Sequence, residues 1–266
     1  DKNCIHGPLE CLFTVDEETG MTGASSLQND FISGNMLLNL DSEDEGELFI
    51  GCAGGIDTLI FLPVNYLPME EDLPCFSIRI RGLLGGHSGD DIEKFRGNAI
   101  KIMARLLLAI SQDLDFSLCA IEGGNVRNAI PRESTAMIAI EKTLEKALLE
   151  RFNEQAEIIK REYVKEPELS IECVSTQQSP QKFIPATQKN LVDALHACPN
   201  GVIGMSPDIP GLVETSTNLA SIKSTGTGEI LIITSQRSSV ESAKYDIASR
   251  IRSLWELAGA NVTHTD

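Results

Sequence analysis

Short apolar runs alternate with turn-forming segments over the first part of the chain. Residues 9–15 and 36–40 are nearly continuous apolar runs, and residues 23–32 between them follow a glycine turn with a helix-like pattern. Strands that are apolar on both sides are typical of a parallel sheet covered on both faces. The pattern therefore predicts a strand, helix, strand unit with a right-handed crossover, as part of a parallel-sheet α/β domain.

The pattern changes beyond residue 74, where clean alternation predicts a half-buried antiparallel strand. Elements of the order strand, helix, strand, strand, helix are expected at residues 75–81, 91–111, 116–121, 133–140 and 142–163. The same order recurs at residues 168–174, 187–197, 212–222, 229–234 and 240–257. We expect an α+β lid domain built from two such modules, and a single α+β sheet without a repeat stays open as the alternative.

A boundary between the two parts is expected in residues 65–74. This stretch contains two prolines and the acidic run at residues 70–72, a composition typical of a linker. The expected domains are therefore residues 1–70, as part of a parallel-sheet domain, and residues 71–266.

Composition narrows the classes of partner. The chain has 266 residues, 42% of them apolar, and 22 Lys and Arg against 39 Asp and Glu give a formal charge of −17. This charge repels a nucleic-acid polyanion, and no apolar run reaches the roughly 20 residues that a membrane span needs. Seven cysteines, without a C-x-x-C pair, favour reduced thiols in a cytoplasmic protein. We expect no nucleic-acid or membrane partner.

Acidic residues follow both apolar runs of the first part. Glu17 and Glu18 come directly after the first run and Asp41 after the second, where open α/β sheets gather their ligand sites. Neighbouring residues of an extended segment point to opposite sides, so one Glu could bind a cation while the other faces a reactant. The alternative is a solvated acidic turn. A calcium loop starting at Asp41 is excluded, because its twelfth position is Cys52 instead of Glu.

Polar candidates in the second part lie in loops and at strand ends. His87 lies in the glycine-dense loop at residues 82–90, where glycines let the backbone approach a ligand closely. Arg237 and Arg127 could each bind a carboxylate through two hydrogen bonds, and Asn218 is a weaker candidate. The alternatives are a surface histidine and structural ion pairs.

Five motifs, in order along nearly the whole chain, resemble one family: PLECLFTVDEETGMTGA, LNLDSEDEGELFIGCAGG, GLLGGHSGDDI, GGNVRNAIPRE and VETSTNLA. The family is that of the aminoacyl-histidine (Xaa-His) dipeptidases, co-catalytic zinc exopeptidases with a catalytic domain and a lid. The resemblance implies a homodimeric metallopeptidase that hydrolyses small peptides with two zinc ions, or a similar divalent metal.

The resemblance also implies roles for single residues. Glu17 would match the general base, and Glu18 and Asp41 would match metal ligands. His87 would match the lid histidine that polarises the scissile carbonyl. Two further residues would match lid groups that grip the substrate, namely Asn218 and Arg237.

The chain departs from the family pattern in its metal ligands. The family's upstream His, its bridging Asp and its later His have no matching motif, and the chain opens with Asp1 instead of Met. We therefore expect an internal fragment that is inactive alone, from a parent that cleaves Xaa-His dipeptides. The open alternatives are a non-catalytic lid or dimerisation module, and another peptidase of the group: a tripeptidase, carboxypeptidase or deacylase.

Overall fold

The computed structural model describes residues 5–17, 21–41, 45–46, 51–69 and 73–265. The chain forms two compact units, Asp1–Gly51 and Cys52–Asp266. The division between them lies upstream of residues 65–74, because the first long strand of the second unit starts at Gly54. The assignment of a catalytic part and a lid part to residues 1–70 and 71–266 stays a prediction.

Among the described residues of the first unit, Thr22–Ser25 form a short helix, α1, Glu17 is also helical, and no strand is present. The strands predicted at residues 9–15 and 36–40 are therefore not formed. Their apolar side chains are exposed, as Phe13 and Leu40 show at 90% each. A parallel strand needs neighbouring strands and covering helices, and the described residues of this unit supply neither.

The second unit contains most of the regular structure. In chain order its elements are β1 (Gly54–Pro63), β2 (Tyr66–Pro68), β3 (Cys75–Arg81), a 3-10 turn (Ile92–Lys94), α2 (Ala99–Ser111), β4 (Ser117–Gly123), β5 (Ser134–Ala139), a second 3-10 turn (Lys142–Leu144), α3 (Glu145–Glu162), β6 (Ser170–Thr176), β7 (Gln181–Phe183), α4 (Pro185–Ala197), β8 (Gly201–Met205), β9 (Val213–Ser224), β10 (Glu229–Ser238), α5 (Glu241–Leu257) and β11 (Asn261–Thr265).

Nine of these strands form one antiparallel sheet in the order β11-β1-β10-β9-β4-β5-β3-β6, with β8 beside β9. The two halves, β4-β5-β3-β6 and β9-β10-β1-β11, have the same spatial order. Each half is a strand-helix-strand-strand-helix module closed by one more strand, so the mixed α/β fold with two modules is confirmed. The second module begins with β1; the strand predicted to open it, β6, pairs with β3 and closes the first module. The first module is thus inserted between β1 and α4.

The two modules meet where β4 pairs with β9, at Gly123 and Ile222. Helices α2 to α5 pack with the sheet in one continuous apolar core, to which both modules contribute. Its largest fully buried side chain is Trp255 of α5. Full burial of one large apolar side chain contributes about 1.5–3 kcal/mol, so a shared core holds the modules together.

Helix α2 begins later than the sequence predicted. The chain makes one 3-10 turn and breaks at Phe95, whose φ of 54° is left-handed. The helix then begins after Asn98, whose Oδ1 accepts hydrogen bonds from the backbone N–H groups of Ile100 and Lys101 at 3.0 and 3.2 Å. Asn is among the best N-cap residues, so it sets the start at Ala99.

Six cysteines are described, and all of them are free thiols. In the same part of the chain, no helix is both long enough and apolar enough to cross a lipid bilayer.

Candidate functional site

The backbone of the glycine-dense loop before α2 lies very close to neighbouring side chains of the second unit. Gly85 and Gly86 have φ values of 64° and 134°, which favour glycine. A Cβ atom on Gly85 would lie 2.3 Å from Cγ of Arg132, and one on Gly86 would lie 2.2 Å from Oδ2 of Asp91. No larger residue fits either position, so the loop conformation depends on its glycines.

Charged side chains clamp this loop from several sides. Glu166, only 4% exposed, accepts hydrogen bonds from the backbone N–H groups of Leu84 and Gly97, both at 2.7 Å. Arg132 donates from Nε to the carbonyl oxygen of Leu83 at 2.8 Å. The loop therefore presents His87 on a fixed backbone.

A second clamp acts at His87 itself. Its backbone N–H donates to Oδ2 of Asp91 at 2.9 Å, and Arg96 pairs with Oδ1 of the same carboxylate at 3.1 Å. The Lys94 ammonium, which donates to Asp91, is the main reason that the pKa of this carboxyl lies below its usual value. Asp91 is thus kept ionised as an acceptor.

The connection between β4 and β5 lies alongside this loop. Ser88 donates its backbone N–H to the carbonyl oxygen of Asn128 at 2.7 Å, and Ile130 donates to that of Gly86 at 2.9 Å. His87 and Ala129 form an isolated antiparallel bridge. The glycine-dense loop and the connection between β4 and β5, which each contain one of the five family motifs, therefore form one structural feature.

The His87 imidazole is half-exposed. Its Nδ1 lies 3.0 Å from Oδ2 of Asp90, and the side chain is 40% exposed. This distance suits an ion pair, but the two atoms are not aligned as a hydrogen bond, and Nδ1 has no hydrogen-bond partner among the described residues. The ring is thus held on one side by its loop and remains open on the other.

Asn218 lies in the middle of β9, at the junction of the modules. Its side chain is 1% exposed and donates from Nδ2 to the carbonyl oxygen of Ala129 at 2.8 Å. Because Ala129 is the bridge partner of His87, Asn218 connects β9 to the glycine-dense loop that carries His87.

Arg237 reaches the same place from β10. Its Nη1 lies 3.1 Å from the position that a Cβ of Gly89 would occupy, and Cε1 of His87 lies 3.1 Å from that same position. Among the described residues, no carboxylate oxygen lies within 4.0 Å of its guanidinium, and its buried Nε has no hydrogen-bond partner. The structure thus brings His87, Asn218 and Arg237 together in one unit, from two different modules.

This arrangement suits an anionic, carbonyl-containing ligand. An unpaired, partly buried guanidinium favours a carboxylate, which it can bind with two parallel hydrogen bonds. An imidazole beside it can donate to a carbonyl oxygen. The nearby Arg127 is less available, because it pairs with Asp57 at 3.2 Å.

The predicted carboxylates belong to the first unit. Glu17 and Asp41 are both exposed, no hydrogen bond or ion pair joins them, and Glu18 lies outside the described residues. Among the residues that the structure describes, no three His, Cys, Asp or Glu side chains are placed to hold a metal ion. The described part of the chain therefore does not assemble a complete metal site.

Sequence reasoning missed Glu166 and Gly89. Glu166 stands in the polar segment Val164-Lys165-Glu166-Pro167, which has the composition of a solvated loop, and no sequence signal marks its burial. Gly89 was one glycine among several, and its place between His87 and Arg237 depends on how the modules pack.

Comparisons with known proteins agree with this architecture. Residues 78–167 match the family model of a peptidase dimerisation domain, a range that begins in β3 and ends just after α3. The first module of the sheet is thus similar to a peptidase dimerisation domain.

Two relatives are similar over nearly the whole chain. The cytosol non-specific dipeptidase of Escherichia coli (strain K12) is 39% identical over 261 residues, which cover 98% of this chain and 54% of that protein. The crystal structure of aminoacylhistidine dipeptidase from Vibrio alginolyticus is 38% identical, with a TM-score of 0.85 over 95% of this chain and 51% of that chain. The resemblance to the aminoacyl-histidine dipeptidases is therefore confirmed, and the chain spans about half the length of these relatives.

Proposed function

We propose that this chain is the lid, with an adjoining part of the catalytic domain, of a metal-dependent dipeptidase that hydrolyses Xaa-His dipeptides. The observation that carries the proposal is the meeting of His87 and Arg237 at Gly89, with no carboxylate of the described chain paired to Arg237. The similarity to two dipeptidases over nearly the whole chain supports the same reaction class.

In this proposal the lid binds two groups of the dipeptide, its C-terminal carboxylate and the carbonyl of its scissile bond. Arg237 binds the C-terminal carboxylate of the dipeptide, because a guanidinium left without an internal counter-ion gains most from a ligand anion. His87 donates to the carbonyl oxygen of the scissile bond and stabilises the negative charge that develops there. Asn218 is 1% exposed, donates from Nδ2 to the carbonyl oxygen of Ala129 and has its Oδ1 beside Nδ2 of Asn98, so it acts chiefly by holding the loop.

The first unit would supply the remaining chemistry. Glu17 is proposed as the general base that takes the proton of the attacking water, and Glu18 and Asp41 as ligands of zinc or a similar divalent metal. The bound metal would polarise water and carbonyl. Since the described residues assemble no complete site, we propose that further ligands come from other parts of the protein and that the chain alone is inactive. The exposed apolar residues of the first unit suit packing against such parts.

A direct test measures hydrolysis of β-alanyl-histidine by the complete protein and by this chain alone. We expect turnover by the complete protein, its loss on chelation and recovery with zinc, and none by the chain alone. His87→Ala should lower turnover at least about 100-fold, the order found when one oxyanion donor is removed. Full activity of that variant would remove His87 from the site. Preference for tripeptides, longer peptides or acylated amino acids would instead favour the tripeptidase, carboxypeptidase or deacylase alternatives.

We further propose that the complete protein is a homodimer, because residues 78–167 match a peptidase dimerisation domain. We propose a cytoplasmic location because the relative from Escherichia coli is named a cytosol dipeptidase. Light scattering of the complete protein tests the assembly, and a monomeric mass would refute it.

A further inference from the structure

Three asparagine side chains meet where the two modules join, and we call them the asparagine cluster: Asn98, Asn200 and Asn218. Nδ2 of Asn98 lies 3.0 Å from Oδ1 of Asn200 and 3.5 Å from Oδ1 of Asn218. Asn98 is 3% exposed and Asn218 is 1% exposed. Nδ2 of Asn98 has two hydrogens, so its two shorter bonds, to Asn200 and to the carbonyl oxygen of Leu219, hold the cluster together, with Asn218 packed beside them.

Asn98 has a double task. Its Oδ1 caps α2, which belongs to the first module, while its Nδ2 donates to the carbonyl oxygen of Leu219 in the second module at 2.9 Å. Asn200 complements it, because its Oδ1 accepts the backbone N–H of Leu219 at 2.9 Å. Both polar backbone groups of Leu219 are thus satisfied by the cluster.

The cluster lies at an irregularity of β9. Opposite β10, Ile233 pairs with Ser221 and Thr234 pairs with Leu219, so Ala220 is an extra, bulged residue. The backbone of Gly124 lies so close to the bulge that a Cβ there would be 2.0 Å from the carbonyl oxygen of Ala220. On the other side of β9, Leu219 lies between the pairing with β8, which ends at Thr217, and the pairing with β4 at Ile222, and the asparagines supply partners for its backbone groups there.

Asn218 connects this junction to His87. It donates to the carbonyl oxygen of Ala129, which pairs with His87 in the bridge between the loops. On its other side, Asn218 pairs in register with Ser235 of β10, two residues before Arg237. The cluster therefore fixes the module that presents His87 relative to the strand that presents Arg237.

We propose that Asn98 and Asn200 are positioning residues, which touch no substrate but hold His87 in register with Arg237 through Asn218 and Ala129. The inference rests on the proposed function, in which these two side chains grip one dipeptide. A side chain whose geometry is set through buried hydrogen bonds loses rate when one of them is removed, even at a distance from the reaction.

Asn98→Ser in the complete protein tests this. Serine caps a helix about as well as asparagine, so α2 keeps its start, but serine cannot reach Leu219. We expect kcat for β-alanyl-histidine to fall about tenfold or more, because serine loses the buried hydrogen bonds of Nδ2 to both Leu219 and Asn200, with KM within about twofold. Hydrogen exchange should be faster for residues 86–89 and 127–130 and unchanged within α2.

Two comparisons separate positioning from general stability. Asn190→Ser is the matched control, because it removes an amide bond to the carbonyl oxygen of Ala258, between α4 and the end of α5, and should leave both readouts unchanged. In a His87→Ala background, Asn98→Ser should lower kcat no further, since the residue acts through His87.

Unchanged exchange in the two loops would overturn the proposal, and so would an equal loss of kcat with and without His87. If the loops exchange faster but His87→Ala keeps full activity, the proposed role of His87 fails while the structural coupling stands.

Discussion

Arg237 and His87, which come from different modules, approach the same point above Gly89. Nη1 of the arginine and Cε1 of the histidine both lie 3.1 Å from the position of a Cβ atom on that glycine. The guanidinium and the imidazole are thus so close to Gly89 that its Cα has room for a hydrogen atom but not for a methyl group. This relationship makes the glycine part of the site.

Gly89→Ala should therefore lower activity without unfolding the protein. Gly89 has no left-handed φ, so alanine is tolerated by the backbone, but its methyl group forces Arg237 or His87 to shift by a few tenths of an ångström. We expect a loss of about tenfold in kcat/KM and a Tm within about 2 °C of wild type, since a small misplacement of reacting groups is costly in rate. Gly204→Ala, which meets no atom within 4 Å, is the control. Wild-type kinetics for Gly89→Ala would place the substrate elsewhere.

Glu166→Gln should destabilise the glycine-dense loop that carries His87. The carboxylate accepts two backbone N–H groups while 4% exposed, and an amide in its place turns one acceptor into a donor that faces a donor. The expected cost is about 1–3 kcal/mol, seen as a Tm lower by several degrees. Glu168→Gln, an exposed neighbour, should leave Tm unchanged. Equal Tm values for both variants would contradict the clamp.

The carboxylates of the first unit differ in their expected effects. Glu17→Gln in the complete protein should abolish turnover while bound metal stays constant, because a general base is not a ligand. Glu18→Ala and Asp41→Ala should each reduce bound metal, measured by elemental analysis of the dialysed protein. Equal metal loss in all three variants would refute the assignment of Glu17 as base.

Thiol reactivity should separate two groups of cysteines. Burial raises the pKa values of Cys119, Cys173 and Cys198 to about 11, so at pH 8 these thiols stay protonated and unreactive. Cys11 and Cys52 are exposed and should be alkylated first by iodoacetamide, as peptide mass spectrometry can measure. As the pH is raised toward 11, Cys173, which is less buried, should be alkylated before Cys198. Alkylation of Cys198 at pH 8 as fast as that of Cys52 would contradict this order.

Local pattern predicted the bounds of elements in the second unit, although β3, which was predicted to be half-buried, lies between β5 and β6 and is buried on both faces over most of its length. The alternation at residues 75–81 gives β3 with the bounds predicted, and the apolar face of residues 142–163 gives α3 within a few residues. Residues 9–15 have an equally strong apolar pattern, but a parallel strand forms only beside neighbours that the described first unit lacks. The start of α2 at Ala99 depends on the cap at Asn98, a local signal that the sequence contains.

The site was predictable in its residue types and not in its geometry. The motifs singled out His87, Asn218 and Arg237, but their meeting depends on the insertion of one module into the other, which opens with β1 instead of β6. Sequence separation hides such contacts. The buried acceptor role of Glu166 likewise exists only once α3 and the glycine loop are packed.

We propose above all that Arg237 binds the carboxylate of the substrate beside His87. The most direct measurement compares kcat/KM for β-alanyl-histidine and for its C-terminal amide, in wild type, Arg237→Ala and the exposed control Arg250→Ala. We expect wild type and the control to prefer the free carboxylate by at least about 100-fold, as a site built for a charged group should, and Arg237→Ala to lose this preference. A preference for the free carboxylate that is undiminished in Arg237→Ala would show that Arg237 does not bind this group.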